Sequence, residues 1–159
     1  MRPEPSDSSS TEALFELPCA CQNLRRATRI VTRIYDQELK KAGLEITQFG
    51  LLTALAQTGE VNQKRLSQGF VMDSTTLTRT LERMRKRGWI SVTQGSDRRE
   101  HLFNLSAAGK RQIAKAKLHW EAAECRLRNE LGEAGWKNMR EVVSLVTKSA
   151  SAAQSFLEL

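Results

Sequence analysis

The sequence predicts a mainly α-helical protein that carries one small β-hairpin. Apolar residues recur at three- and four-residue steps along most of the 159 residues, which is the pattern of amphipathic helices. The pattern changes to short β-type runs only at 89–93 and 101–105, and Gly95-Ser96-Asp97 between them has the chemistry of a turn. The expected order is therefore four helices, one hairpin and two further helices.

The first predicted helix follows a tail with few apolar side chains. Residues 1–13 are rich in Ser, Pro and acidic side chains, so we expect them to be disordered. A long amphipathic helix begins near Pro18 and ends near Gly43. Its apolar positions are Leu24, Ala27, Val31, Ile34, Tyr35 and Leu39, and the arginines between them are Arg25, Arg26, Arg29 and Arg33.

Two shorter helices are expected next. Thr47 is a suitable N-cap for the second helix, which ends at Gly59. A third helix covers about 63–68, with Leu66 facing inward.

The fourth predicted helix has two different faces. Asp73 or Ser74 caps it, because either side-chain oxygen can accept a hydrogen bond from the first turn, and Gly88 ends it after Arg87. The apolar stripe consists of Leu77, Leu81 and Met84, and the polar stripe consists of Thr76, Arg79, Arg83 and Lys86. One face can therefore pack on the protein while the other is free to bind a partner.

Two helices are expected after the hairpin, one from Ser106 and one beyond 132–135. Together with the first helix they present more apolar surface than a small domain can cover, so we expect a homodimer. We divide the chain into a compact domain at 44–105 and a helical dimerisation region at 14–43 and 106–159.

Positive charge is concentrated in one third of the chain. Residues 61–111 contain eleven Lys and Arg against four Asp and Glu, so this stretch carries the whole formal net charge of +7. Such segregation is expected when one module faces phosphates and another does not.

Several classes of protein are excluded by what the sequence lacks. No apolar run is long enough to cross a membrane and the N-terminus has no apolar signal segment, so we expect a cytoplasmic protein without a membrane partner. The three cysteines and two histidines lack metal-ligand spacing, so we expect no metal and no other cofactor. Without a phosphate-binding loop or a nucleophile motif, an enzyme is not expected.

The order of helices followed by a basic hairpin is that of a winged helix-turn-helix, and the sequence resembles the MarR family of transcriptional regulators. The resemblance covers about residues 19–130. It rests on NLRRATRIVTRIYDQEL (23–39), GLEITQFGLLTAL (43–55), VMDSTTLTRTLERMRKRGWI (71–90) and GSDRREHLFNLSAAGKR (95–111). Its most specific part is Asp-Arg-Arg at 97–99, followed by the Leu-Ser-x-x-Gly start of the next helix. The resemblance implies that residues 44–105 are a winged helix-turn-helix DNA-binding domain.

The fourth helix is the expected recognition helix. A helix fits the major groove of double-stranded DNA, where hydroxyl side chains and Arg in its first half can reach base edges. These candidates are Ser74, Thr75, Thr76, Thr78 and Arg79. Arg79 suits bidentate bonding to guanine, although each threonine can equally serve local capping and Arg79 can equally pair with Asp97. Arg83 and Lys86 lie further along the helix and are expected to contact phosphates.

The hairpin is the expected wing. The resemblance implies that Asp97 orients an arginine of the wing or of the recognition helix. It also implies that Arg98 and Arg99 contact DNA, the second of them in the minor groove.

The resemblance also implies a regulatory input. Members of the family bind small anionic or aromatic ligands where the first two helices meet the fifth, or sense oxidants through a thiol. Candidates to line such a pocket are Arg25, Arg29, Tyr35 and Trp120, for each of which ordinary packing or solvent exposure is the alternative. Cys21 resembles the reactive cysteine of peroxide-sensing members and has basic neighbours. Arg25 stands where those sensors have a tyrosine, so a small ligand is favoured over an oxidant.

These observations predict a sequence-specific transcriptional repressor that binds a palindromic operator as a homodimer and is released by a small ligand or by thiol oxidation. The alternative is a non-specific nucleic-acid-binding or nucleoid-structuring protein, because a module with a charge of +7 binds phosphate whatever the base sequence. A winged helix used for protein contacts alone would leave the basic helix face unexplained.

Overall fold

The computed structural model describes residues 19–95 and 100–157 and is mainly helical, with one small antiparallel sheet. The elements in chain order are α1 (Ala20–Leu39), a 3-10 turn (Lys40–Ala42), α2 (Ile46–Thr58), β1 (Val61–Asn62), α3 (Gln63–Phe70), α4 (Ser74–Lys86), β2 (Ile90–Gln94), β3 (His101–Leu105) and α5 (Ala107–Leu157). The predicted helices and the hairpin are confirmed within these residues.

The core of the protein lies among α2, α3, α4 and the small sheet, and it extends to the second half of α1 and the first segment of α5. The apolar stripe that the sequence assigns to α4 is buried, since Leu77, Leu81 and Met84 are each at most 2% exposed. Leu66 of α3 is buried as predicted. Burial of apolar side chains of this size stabilises the fold by about 1.5–3 kcal/mol each.

A tight turn joins α1 to α2. Gly43 has a left-handed backbone conformation (φ 77°), and the carboxylate of Asp36 in α1 accepts a 2.7 Å hydrogen bond from the N–H of Ile46. The prediction that Thr47 caps α2 is wrong, because the helix already begins at Ile46. Glu45 occupies the cap position, and its N–H donates to the side chain of Gln48.

The sheet has the strand order β1-β3-β2, with both pairs antiparallel. The hairpin pairs Ile90 with Leu105 at its base and Gln94 with His101 at its far end. The sequence did not predict β1, because two residues are too short to show an alternating pattern.

The last element, α5, consists of two helical segments. Gly132 interrupts it with φ 66° and ψ 168°, a conformation that is accessible almost only to glycine. The guanidinium of Arg128 spans the break and donates two 2.6 Å hydrogen bonds to the carboxylate of Glu133. The two helices predicted after the hairpin are therefore present as segments 107–131 and 133–157.

Candidate nucleic-acid interface

The N-terminus of α4 is fixed by a side-chain cap. Oδ1 of Asp73 accepts a 2.8 Å hydrogen bond from the N–H of Thr76, which confirms Asp73 as one of the two predicted caps. This bond holds the pKa of the Asp73 carboxyl below its usual value, because it favours the charged form. Ser74 is thereby left as the first residue of α4.

All the α4 side chains that the sequence selects for DNA contact are exposed. They are Ser74, Thr75, Thr76, Thr78, Arg79, Arg83 and Lys86. At 100° per residue, Thr75, Arg79 and Lys86 follow one line along the helix, opposite the buried stripe. The structure therefore brings a hydroxyl and two cations to one solvent-facing surface, which we call the α4 face.

Thr78 also has a structural role. Its hydroxyl donates a 2.7 Å hydrogen bond to the carbonyl of Ser74 and accepts a 2.8 Å hydrogen bond from the amide of Gln63 in α3. Local bonding of the threonines, which the sequence left as an alternative, is thus observed at this position. Thr80, which the sequence did not select, is buried and donates to the carbonyl of Thr76.

The basic residues at the end of α4 and just after it differ in their surroundings. Glu82 lies on the same line as Arg79 and forms a 3.2 Å ion pair with Arg85 at the surface. Arg87 donates a 2.8 Å hydrogen bond to the carbonyl of Gly43 and lies over the ring of Trp89. Arg87 contributes to the +7 of the basic segment, yet its guanidinium is engaged within the protein.

The wing is held by two carboxylates. Oε1 of Glu60 accepts hydrogen bonds from the Thr93 hydroxyl of β2 (2.5 Å) and the Asn104 amide of β3 (2.7 Å), which holds the pKa of Glu60 below its usual value. Oε1 of Glu100 accepts a 2.5 Å hydrogen bond from the amide of Asn62, the residue that caps α3. Glu100 directly precedes β3, so this bond attaches the far end of the hairpin to the start of α3.

The tip of the wing lies outside the described residues. The predicted DNA contacts Arg98 and Arg99 and the predicted positioning residue Asp97 all fall there. Their roles stay predictions from the sequence.

The candidates for an effector site lie in two different places. Cys21, Arg25 and Arg29 share one exposed face of α1. Tyr35 is buried and donates a 2.6 Å hydrogen bond to Oε1 of Glu124, while Trp120 stacks on Phe49 at a centroid distance of 5.9 Å. Within the described part of this single chain, the five candidates do not form one pocket.

Metal sites, disulfides and membrane-spanning helices each have requirements that the described residues do not meet. Among residues 19–95 and 100–157, no cluster of three or more Asp, Glu, His or Cys side chains is arranged to hold a metal. Cys19, Cys21 and Cys125 are free and exposed. No described helix combines the length and apolar character needed to span a membrane.

Comparison with known proteins identifies the family that has this arrangement of helices and wing. Residues 44–101 match the model of the MarR family, which is the stretch from α2 to the start of β3. The transcriptional regulator MosR of Mycobacterium tuberculosis, crystallised in complex with DNA, is 31% identical over 85% of this chain and 98% of its own, with a TM-score of 0.75. The chain therefore belongs to the MarR family.

Other relatives agree with the MarR-family assignment. The HTH-type transcriptional regulators YwoH of Bacillus subtilis and SarZ of Staphylococcus haemolyticus are 27% and 29% identical over 56% of this chain. The matched segment spans 65% and 61% of the length of these two relatives. MarR of Escherichia coli has the same fold, with a TM-score of 0.72 at 18% identity. The fold is thus a MarR-like winged helix-turn-helix, and the family is one of transcriptional regulators rather than enzymes.

Sequence reasoning missed several residues that shape this MarR-family site. Gln63, Glu60 and Asn62 attach α4 and the wing to α3 and β1 through side-chain hydrogen bonds across 15 to 44 residues. No local sequence pattern predicts a contact between residues that are this far apart along the chain. The one available signal is Asn62, whose place just before a predicted helix marks it as an N-cap.

Proposed function

We propose that this protein is a sequence-specific transcriptional repressor that binds a palindromic DNA operator as a homodimer. The single observation that carries the proposal is the α4 face, where an exposed hydroxyl and two cations lie on a helix whose opposite side is buried. Such a helix can enter the major groove without loss of packing. The complex of MosR with DNA, at 31% identity, supports the same use of the fold.

Each side chain has a proposed role. Ser74, Thr75, Thr76, Thr78 and Arg79 read bases, and Arg83 and Lys86 bind phosphates. Arg98 and Arg99 at the wing contact DNA, and Asp97 positions an arginine of the wing or of the recognition helix. Residues 44–105 are the DNA-binding domain in this proposal.

Dimerisation is supported by apolar surface that the single chain leaves uncovered. Residues 20–30 of α1 are exposed on every side, with Leu24 at 45% and Ile30 at 48%. In the second segment of α5, Val142, Val143 and Leu145 are 52–65% exposed. Apolar stripes of this extent are characteristic of a subunit interface, so we assign 14–43 and 106–159 to the dimer.

Two inputs are candidates for release from DNA. The exposed face of α1 offers Arg25 and Arg29 to a small anionic ligand, and Cys21 beside them is accessible to an oxidant. Tyr35 and Trp120 can contact a ligand only in a conformation that separates Tyr35 from Glu124 and Trp120 from Phe49. Hydrogen peroxide should release DNA from the unaltered protein and from Cys125→Ser but not from Cys21→Ser, if the thiol is the sensor.

The decisive experiment measures specificity. Fluorescence anisotropy should be recorded with duplexes from the region upstream of the gene and with random duplexes of equal length, at several salt concentrations. We expect one upstream duplex to bind at least about 10³-fold more tightly than random DNA. A ratio near one would instead favour the non-specific or nucleoid-structuring alternative.

Two further measurements complete the test. Light scattering at micromolar concentration should give a dimer, because two recognition helices about 34 Å apart are needed to read adjacent turns of DNA. A reporter gene placed behind the bound duplex should be silenced when the protein is expressed. An increase in reporter activity would assign activation instead of repression.

A further inference from the structure

The turn between α1 and α2 receives side chains from two distant parts of the chain. Nη1 of Arg87, just after α4, donates a 2.8 Å hydrogen bond to the carbonyl of Gly43. Nε2 of Gln112, in the first turns of α5, donates a 2.6 Å hydrogen bond to the carbonyl of Ala42. These four residues, which we call the joint, therefore connect the end of α4 and the start of α5 to two consecutive peptide groups.

The peptide groups of the joint are firmly placed. Ala42 and Leu44, which flank Gly43, are 3% and 1% exposed. The carboxylate of Asp36 adds a hydrogen bond to the N–H of Ile46 on the other side of the turn. The turn is thus a fixed anchor rather than a free loop.

Arg87 is itself held in place. Its guanidinium carbon lies 4.9 Å from the ring centroid of Trp89, a cation–π distance. Trp89 is 8% exposed, and its carbonyl accepts a hydrogen bond from the N–H of Ser106. A Cβ at Gly109 would lie 2.2 Å from that carbonyl, so α5 approaches Trp89 as closely as a glycine allows.

We propose that Arg87 and Gln112 are positioning residues that determine which spacing between two operator half-sites the protein accepts. The proposal rests on the proposed function and on the homodimer. If α1 and α5 carry the dimer contacts, the joint fixes each recognition helix relative to the dimer axis. One added base pair moves a half-site by about 3.4 Å and turns it by about 34°, so a rigid joint must reject it.

The charge of Arg87 does not explain this role. Its guanidinium is bound to a carbonyl and an aromatic ring, and Gln112 performs the matching task without any charge. Arg85 provides a matched control, because it lies two residues before Arg87 at the end of α4, is exposed and pairs only with Glu82 in the described contacts.

The experiment uses the full-length dimer and a set of DNA duplexes. In vitro selection with the unaltered protein supplies one palindromic duplex, and the set adds duplexes with one or two base pairs inserted or deleted at its centre. Binding is measured for the unaltered protein and for Arg87→Met, Gln112→Leu and Arg85→Met, and thermal unfolding checks that each variant is folded.

We expect the unaltered protein and Arg85→Met to lose at least about tenfold in affinity when one base pair is inserted or deleted, the cost of about one mismatched contact. Arg87→Met and Gln112→Leu should lose about threefold or less, with weaker binding to the selected duplex. If Arg87→Met does not fold, Gln112→Leu decides the matter alone.

Three results would overturn the proposal. The first is an unchanged spacing preference in both Arg87→Met and Gln112→Leu. The second is an equal loss of preference in Arg85→Met, which would assign the effect to charge. The third is an unaltered protein that binds its selected duplex tightly but tolerates every spacing. A failure to select any duplex over random DNA would instead refute the proposed function itself.

Discussion

The hydroxyl of Tyr35 in α1 donates a 2.6 Å hydrogen bond to Oε1 of Glu124 in α5, 89 residues away along the chain. Burial and the adjacent carboxylate both raise the pKa of Tyr35 above its ordinary value of 10.0. The bond thus ties the first and last helices of the fold through a phenol that resists ionisation.

Removal of this hydroxyl should weaken the fold. Tyr35→Phe leaves the Glu124 carboxylate without its donor, so we expect the free energy of unfolding to fall by about 1–2 kcal/mol, measured by chemical denaturation at pH 7. Glu141→Gln at the exposed second segment of α5 is the control and should change little.

The raised pKa of Tyr35 also predicts a loss of stability in alkali. Above about pH 10 the unfolded chain releases the phenolic proton while the folded chain retains it, so stability is present below pH 10 and falls as the pH rises. Tyr35 is the single tyrosine, and tyrosinate absorbance at 295 nm therefore reports it alone. Ionisation near pH 10 in the folded protein would contradict this prediction.

Substitutions on the α4 face should distinguish a residue that reads bases from one that binds phosphate. Arg79→Ala should lower specific affinity by about 1–3 kcal/mol and relax one operator position, because a bidentate contact to a base is lost. Lys86→Ala should weaken binding to specific and random DNA alike. It should also reduce the slope of log affinity against log salt concentration by about one. Competition binding against single-base variants of the operator distinguishes the two. An equal loss for Arg79→Ala on every sequence would make it another phosphate contact.

The direction in which Glu60→Ala changes DNA affinity should show whether the wing acts through its structure or only through its charge. Glu60→Ala removes a negative charge near a DNA-binding surface, which favours DNA, but it also removes the acceptor that joins Thr93 to Asn104. We expect specific binding to weaken about fivefold, the equivalent of one hydrogen bond. Glu82→Ala, measured beside it by anisotropy, should bind DNA unchanged or more tightly. Tighter binding by both variants would mean that the wing acts only through its charge.

The sequence predicts the helices and hairpin well because their signals are local. The stripe Leu77, Leu81 and Met84 follows the helical period, and Asp73 precedes it with a capping side chain. The contacts that orient the site are not local. Arg87 bonds to Gly43 and Gln63 to Thr78 through side chains that meet only in the folded chain, so a basic residue counted for DNA proves to be engaged in the protein.

The separation of the effector candidates has a similar cause. Cys21, Arg25 and Arg29 belong to the part of α1 that the single chain does not cover, whereas Tyr35 turns inward toward Glu124. Periodicity places all four on one helix. Only tertiary packing shows that α1 enters the core at about residue 31, after an exposed first half.

The backbone conformation of Gly132 should determine how tightly two subunits associate. Its φ of 66° and ψ of 168° suit glycine, while an added Cβ would meet no atom within 4 Å, so Gly132→Ala introduces backbone strain without a clash. Relief of that strain, about 1–3 kcal/mol, favours a continuous helix and redirects segment 133–157 with its exposed valines. We therefore expect the dimer dissociation constant to rise at least about tenfold in sedimentation equilibrium. Gly135→Ala is the matched control, because position 135 is helical and alanine is the better helix former there. That variant should dimerise as well as the unaltered protein, and an unchanged dimer in Gly132→Ala would show that the break does not orient the interface.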